Sequence, residues 1–410
     1  MLHRTRAWAH FALIVVVVLL SLPVVSAQDN KPEPVGLRPD APQYALHGPY
    51  WVGTWDYIID AGTANEISFR AWYPALNPKN EPEAVTYVMR PDAAFRQYTD
   101  PERLLTLEGH ALFNSEPDFS AAPYPLVVFS HTYTGSSELQ YYTAEHLASY
   151  GFVAFAPEHK ADTWDAYYAS LIKRIQDVTA AITFADTLTA KGGDWEGLID
   201  TEHIGVSGWS AGGATTYGVA NAPLDWAGVK EYCSVIPEGT GCANLAHEQT
   251  AALAALGLEK EPEGLWPAIG DTRVDAIVPM SGGADIYGQR GLTELHVPML
   301  AFNGSSEVEV PWFSKTYDEI ASTQKIHVVL NNADHFVFDA SCVSVPWMIE
   351  IGAYGWCADA VWDMDRAHDL INHFTTAFLL DVLKGDKDAH AALAPEAVTF
   401  PGIDYKAQGF

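Results

Sequence analysis

The chain has 410 residues, and its 52 acidic side chains against 23 basic ones give a formal net charge of −29. This length allows one large α/β domain with insertions, or two domains. Nucleic acids and anionic membrane surfaces are polyanions, so the charge argues against either as a partner. The sequence has no phosphate-binding, nucleotide-binding or metal motif, and we expect no cofactor.

The first 27 residues have the organisation of a secretory signal peptide. Arg4 and Arg6 precede the apolar run Phe11 to Leu22, and Val25-Ser26-Ala27 resembles a cleavage site. The apolar run is short for a membrane span, although an uncleaved anchor is the alternative. We therefore expect a secreted or periplasmic protein without stable membrane insertion.

Residues 28–43 are expected to form a flexible lead, and residues 44–410 a single domain. The predicted strands are Trp51 to Asp60, Ile67 to Tyr73, Tyr124 to Ser130, Phe152 to Ala156, Ile204 to Ser207, Val274 to Pro279, Val297 to Phe302 and Ile326 to Leu330. Helical spacing is found after Tyr141, from Ile172 to Leu188, and in a final helix from Ala367 to Val382 that Gly385 can cap. Asn77 to Ala122 has little periodicity. Continuous apolar strands alternating with helices predict a mostly parallel central sheet flanked by helices.

The pentapeptide Gly208-Trp209-Ser210-Ala211-Gly212 lies between a predicted strand and a run of small residues suited to a helix. G-x-S-x-G in this context is the nucleophile elbow of the α/β-hydrolase fold. Glycines are needed on both flanks because the serine lies in a strained turn where a neighbouring Cβ would clash. Ser210 is therefore the predicted nucleophile, and a structural serine is the alternative.

Residues 221–271 interrupt the alternation, and we expect them to form a lid-like insertion over the carboxyl edge of the sheet. An even number of cysteines in an exported chain favours disulfides. Proximity in sequence favours Cys233–Cys242 and Cys342–Cys357, although four cysteines permit three pairings. Neither pair has C-x-x-C spacing, which makes a metal site the weaker interpretation.

In this fold the catalytic triad runs in the order serine, acid, histidine. His335 follows the strand that ends at Leu330 and is the predicted general base. Glu307 lies in a G-x-x-D/E-x-x-V-P turn after the preceding strand, where a carboxylate would fix the histidine tautomer. Asp285 is the rival acid, and Glu309 is a weaker one.

An oxyanion hole needs two backbone N–H groups directed at the developing negative charge. Ala211 follows the nucleophile and should supply one of them. Tyr133, in the loop after the first buried strand, is the predicted second donor, and its ring is expected to form one wall of the acyl pocket. His131 is expected to be structural.

The segments Val127 to His131, Leu147 to Val153, Pro157 to His159 and Arg70 to Ala75 resemble platelet-activating factor acetylhydrolase and its bacterial relatives, which are often labelled dienelactone-hydrolase-like. The Cys233…Cys242 segment is similar too. The resemblance implies an α/β-hydrolase that acts on carboxylic esters, such as short acyl groups on lipids. It assigns the family's roles to Ser210, His335, Tyr133 and Ala211.

Two departures from the family pattern concern the site. Thr132 stands where the family loop usually has a glycine, and Met280 aligns best with the acid of the plasma acetylhydrolases. This leaves Glu307, at the position used by the bacterial relatives. The loop Tyr133 to Ser137 also resembles the oxyanion loop of polyester-hydrolysing cutinase-like enzymes.

The sequence thus predicts a secreted serine esterase that works through a Ser-His-Glu/Asp triad and an acyl-enzyme, on lipid-derived or short acyl esters. A polyester hydrolase or cutinase-like enzyme is the main alternative. It would be favoured by an open cleft with exposed aromatic residues and disfavoured by a cap from residues 221–271. A peptidase and a non-catalytic binding module are weaker alternatives.

Overall fold

A computed structural model describes residues 31–89, 99–100, 102–160, 162, 165–307 and 310–410, with the backbone alone for 310–314. The predicted signal peptide, residues 1–27, and the weaker acid candidate Glu309 lie outside the described residues. Part of the predicted flexible lead packs on the rest of the chain, because the N–H groups of Leu37 and Arg38 both donate to the Asp369 carboxylate at 3.0 Å. Residues Lys31–Phe410 form one compact unit.

Twelve strands are found among the described residues. They are β1 (Trp51–Ile59), β2 (Ile67–Ala75), β3 (Val85–Val88), β4 (Thr106–Gly109), β5 (Leu112–Phe113), β6 (Tyr124–Ser130), β7 (Val153–Pro157), β8 (Ile199–Trp209), β9 (Val274–Met280), β10 (Met299–Gly304), β11 (Lys325–Leu330) and β12 (Ile403–Gln408). Ten of them form one sheet in the order β12-β11-β10-β9-β8-β6-β7-β2-β1-β5. The pairs from β7 through β6, β8, β9 and β10 to β11 are parallel, whereas β1, β2 and β12 pair antiparallel with their neighbours β2, β7 and β11.

The helices are α1 (Tyr141–Ser149), α2 (Tyr167–Thr189), α3 (Ala211–Val219), α4 (Trp226–Val235), α5 (Leu245–Ala255), α6 (Gly288–Leu292), α7 (Val310–Glu319), α8 (Trp347–Glu350), α9 (Met364–Lys384) and α10 (Lys387–Ala392). Alternate residues of β6 enter opposite cores: Leu126 and Val128 pack with residues of α2 and α3, and Val127 and Phe129 pack with those of α1 and α9. This division explains the continuous apolar run of β6 and confirms the predicted mostly parallel sheet flanked by helices.

Two regions differ from the sequence prediction. The stretch with little periodicity contains β3 and β4, which form a separate two-stranded sheet within the described residues, and the two-residue strand β5. Strands this short carry too few residues to show an alternating pattern. The predicted final helix, α9, is followed by α10 and by β12, which completes one sheet edge. Gly385 does cap α9, with φ of 68° and its N–H on the Asp381 carbonyl.

The segment 221–271 contains α4, a 3₁₀ turn and α5, and one face of α5 packs against α2. A disulfide joins Cys233 to Cys242 with 5.2 Å between the Cα atoms. A second joins Cys342 to Cys357 at 4.7 Å, so the pairing is the one expected from proximity. Within the described residues, no helix is both long enough and apolar enough to span a membrane.

Candidate active site

Ser210 lies at the sharp turn from β8 into α3, with φ of 59° and ψ of −121°. A Cβ atom placed on Gly212 would lie 1.7 Å from the Ser130 carbonyl oxygen, and one on Gly208 would lie 2.5 Å from the Gly212 carbonyl carbon. Both contacts are far too short for any side chain. The two glycines therefore allow the strained elbow to form, for the reason given by the sequence.

His335 begins a 3₁₀ turn shortly after β11 and lies beside the elbow. Its Nε2 atom is 3.0 Å from Ser210 Oγ, and its Nδ1 atom is 2.8 Å from Glu307 Oε2. An acidic acceptor at Nδ1 favours the tautomer with the proton there, which leaves Nε2 free to accept the serine proton. The Trp209 indole donates to the His335 carbonyl at 3.1 Å and packs against the imidazole ring.

Glu307 is held by three donors. Besides His335, the Ser281 hydroxyl and the Gly304 N–H each donate to Oε1 at 2.6 Å. The Glu307 side chain is only 2% exposed, so the carboxylate cannot swing towards water. Asp285, the rival acid, instead accepts the Tyr168 hydroxyl at 2.8 Å on the cavity wall. The structure thus brings Ser210, His335 and Glu307 together and places Asp285 elsewhere.

Ser281 and Asp334 are two site residues that the sequence analysis missed. Ser281 directly follows β9, has φ of 45° and supports Glu307, while Asp334 accepts the His335 N–H at 2.7 Å. The available signal was that Ser281 directly follows a strand and that Asp334 directly precedes His335. This signal is not specific, because polar residues also follow other strands of the sheet, such as His131 after β6 and Glu158 after β7.

The predicted oxyanion donors lie on two neighbouring elements. Ala211 is the first residue of α3, so its N–H has no acceptor within the helix. Tyr133 lies in the loop after β6, and β6 ends beside the elbow, since a Cβ on Gly212 would lie 1.7 Å from the carbonyl oxygen of Ser130, the last residue of β6. Its ring does not form the expected cavity wall: it points inward, and its hydroxyl donates to Ser170 at 3.1 Å. Tyr167 lines the cavity on this side instead.

His131 is buried behind the same loop. Its Nδ1 donates to the Thr132 carbonyl at 2.7 Å, and its Nε2 accepts the His159 N–H at 3.0 Å. Burial lowers the pKa of His131 well below its usual value, and the neighbouring His159 and Arg174 add to the effect. A neutral imidazole with both nitrogens engaged is structural.

A cavity of about 570 Å³ opens over Ser210 and His335. Its walls include Tyr167, Ala284 and Leu292, and the segment 221–271 supplies Asp225, Ala227, Gly228, Glu231, Tyr232 and Thr240. Arg290 also lines it and donates to both oxygens of the Asp225 carboxylate. Across the described residues, no group of three His, Cys, Asp or Glu side chains is arranged to hold a metal ion.

Comparison with known proteins agrees with this architecture. The family "Platelet-activating factor acetylhydrolase, isoform II" matches residues 38–183, a segment that includes the Tyr133 loop and ends before Ser210. No curated protein sequence matches the chain significantly. Among solved structures, a ferulic acid esterase from Streptomyces cinnamoneus superposes with a TM-score of 0.53 at 17% identity, over 87% of this chain and 96% of that one. The fold is therefore that of an α/β-hydrolase, and the family match confirms the expected resemblance and the class of carboxylic ester hydrolases.

Proposed function

We propose that the chain is an exported serine esterase in which Ser210 attacks the ester, His335 transfers the proton and Glu307 orients the histidine. The observation that carries this proposal is the unbroken hydrogen-bond line from Ser210 Oγ through His335 to Glu307, at 3.0 and 2.8 Å, on the wall of the cavity. The two disulfides and the signal-like leader support export.

The geometry gives each residue a step. His335 Nε2 accepts the Ser210 proton as Oγ bonds to the ester carbonyl carbon, and the N–H groups of Ala211 and Tyr133 stabilise the resulting oxyanion. The imidazolium, paired with Glu307, then returns the proton to the departing alkoxide. Water then enters and gives a proton to Nε2 as its oxygen bonds to the acyl carbon. The bond between that carbon and Ser210 Oγ breaks, the imidazolium returns the proton to Oγ, and the acid leaves.

The substrate we propose is an ester of a short acyl chain, including lipid-derived esters. The segment 221–271 supplies part of the lining of the cavity that contains Ser210, and a walled cavity of about 570 Å³ favours a small or flexible ester over a polymer surface. Tyr167, Ala284 and Leu292 offer apolar contact for an acyl chain, while the Arg290–Asp225 pair makes part of the rim polar.

The test is a panel of p-nitrophenyl esters from acetate to palmitate, with a phospholipid, a polyester film and a peptide anilide beside it. Short esters should be hydrolysed best. A fluorophosphonate probe should add to one tryptic peptide, the one that contains Ser210, and stop hydrolysis. Release of products from the film or anilide alone would reassign the enzyme as a polyester hydrolase or a peptidase. Absence of turnover together with absence of labelling would support a binding module instead.

A further inference from the structure

A buried ion pair lies behind the Tyr133 loop and takes no part in the triad. Arg174 of α2 and Asp162 are each 1% exposed in their side chains, and the guanidinium Nε donates to the Asp162 carboxylate at 2.9 Å. Burial alone would raise the pKa of Asp162, but the charge of Arg174 and its hydrogen bonds outweigh burial and lower it. The pair therefore stays charged in the interior.

The pair also binds the backbone of the loop from both ends. Arg174 donates from Nη1 to the His131 carbonyl at 2.5 Å and from Nη2 to the Thr132 carbonyl at 3.0 Å. Asp162 accepts the Thr134 N–H at 3.0 Å. Two carbonyls and one N–H that flank Tyr133 are thus fixed by one salt bridge.

The contact at Thr132 determines where the Tyr133 N–H points. The Thr132 carbonyl and the Tyr133 N–H belong to one planar trans peptide, so they point in opposite directions. Arg174, His131 and the Gly135 N–H all donate to this carbonyl, and their bonds hold the Tyr133 N–H away from α2. A flip of the peptide would turn the carbonyl oxygen towards the oxyanion and deprive the buried guanidinium of an acceptor, which is costly.

We propose that Arg174, held by Asp162, is a positioning residue for catalysis: it keeps the Thr132–Tyr133 peptide in the orientation in which the Tyr133 N–H can bind the oxyanion. This inference rests on the proposed function. Stability alone gives a weak reason for the pair, since apolar residues of similar size often replace buried ion pairs without loss.

The experiment uses Arg174→Lys in the full chain, because lysine keeps the charge but lacks the planar fork that serves both carbonyls and Asp162. The matched control is Arg273→Lys, since Arg273 also pairs with carboxylates, those of Asp271 and Asp186. Four quantities are measured: kcat and KM on the best ester of the panel, and the inhibition constants of a trifluoromethyl ketone and of the ether that has the same acyl chain but no carbonyl group. The ketone forms an oxyanion on Ser210, whereas the ether cannot.

Complete loss of one oxyanion donor lowers kcat about 10²- to 10³-fold, so Arg174→Lys should lower it roughly 10- to 100-fold. Binding of the trifluoromethyl ketone should weaken by a similar factor. KM and ether binding should stay within about twofold, because ground-state binding does not use the oxyanion hole. Arg273→Lys should leave all of these quantities within about twofold of the wild type.

An unchanged kcat and ketone affinity in folded Arg174→Lys would overturn the inference, and so would an equal loss of ketone and ether binding. If Arg174→Lys does not fold, Asp162→Asn takes its place, and the same separation of ketone from ether is required. A wild type that hydrolyses no ester would refute the proposed function itself. An active wild type with an unaffected variant would refute only the role of Arg174.

Discussion

Among the described residues, two hydrogen-bond chains join a serine, a histidine and an acid, and one of the two lines the cavity. In the first, Ser210, His335 and Glu307 are joined at 3.0 and 2.8 Å. In the second, Ser130 Oγ is 2.9 Å from His159 Nε2, and His159 Nδ1 is 3.1 Å from Asp177. The hydrogen-bond pattern is the same in both.

The surroundings of the two chains differ. The His335 side chain is 30% exposed, whereas Ser130 and the His159 side chain are fully buried. Ser210 also has a left-handed φ at the start of a helix, while Ser130 ends an ordinary strand. The proposed nucleophile Ser210 thus differs from Ser130 in its access to the cavity and in its position at the start of a helix, and not in its hydrogen-bond partners.

The largest expected difference between the two hydrogen-bond chains is the effect on kcat of replacing each serine by alanine. Ser210→Ala should lower kcat by roughly 10⁴-fold or more, because only the nucleophile is lost. Ser130→Ala should leave kcat within about fivefold but lower the free energy of unfolding by about 1–3 kcal/mol, since it leaves the buried His159 acceptor unpaired. Ester turnover and urea unfolding of both variants measure this. Comparable losses of kcat would show that the buried chain also acts in catalysis.

The next largest difference in kcat is expected between variants of the two candidate acids, Glu307 and Asp285. In Glu307→Gln, the amide oxygen can still accept from Ser281 and Gly304, but the NH₂ group then faces His335 Nδ1. An NH₂ group at this position favours the tautomer without a proton on Nδ1, in which Nε2 carries the proton and cannot accept the one from Ser210. Glu307→Gln should therefore lower kcat roughly 10²- to 10⁴-fold.

Asp285→Asn is the matched control for Glu307→Gln, because asparagine can still accept from Tyr168. Its kcat should stay within about threefold of the wild type. The reverse ranking would assign the acid to the earlier strand, β9.

Local sequence patterns located the candidate triad because each of its residues follows a strand end in a fixed order. Ser210 is flanked by Gly208 and Gly212, and Glu307 and His335 come within a few residues after β10 and β11. The Arg174–Asp162 pair could not be predicted in this way. Arg174 occurs in an amphipathic helix where arginine is ordinary, and its carbonyl acceptors at His131 and Thr132 are more than forty residues away. Contacts of that range depend on the packing of whole elements.

Loss of each of the two disulfides should have a different effect on ester kinetics. Cys233 follows the cavity residue Tyr232 directly, and Cys242 comes two residues after the cavity residue Thr240. The Ser/Ser double variant of this bridge should therefore change acyl-chain preference through KM. The Cys342–Cys357 bridge adjoins Trp356, which stacks on Phe336 beside the catalytic-site histidine, so its loss should affect kcat more.

Each disulfide should contribute about 2–3 kcal/mol to stability in the chain-entropy model. Thermal unfolding of the two double variants measures this, and ester kinetics measure the split between KM and kcat. With both bridges formed, the intact wild type should be four hydrogens lighter than its reduced form. Four alkylatable thiols in the exported protein would contradict the pairing and weaken the case for export.

The smallest expected effect is on pH dependence, and it belongs to the buried chain. Burial lowers the pKa of His159, Arg174 lowers it further, and Asp177 only partly opposes them. Below about pH 6.5 the unfolded chain therefore binds a proton that the folded chain does not, so this group's contribution to stability is lost as the pH falls.

Burial acts in the same way on other histidines and lowers the pKa to about 4 in each of His146, His327, His368 and His373. His159→Gln can keep the bonds to Ser130 and Asp177 without a titrating ring. The variant should lose stability less steeply than the wild type between pH 6.5 and 4.5, by up to about 1.4 kcal/mol per pH unit. Urea unfolding at several pH values measures both slopes. If the unfolding free energy of His159→Gln falls with pH as steeply as that of the wild type, His159 takes up its proton in the folded state. The Ser130–His159–Asp177 chain would then be accessible to protons from water, contrary to its burial.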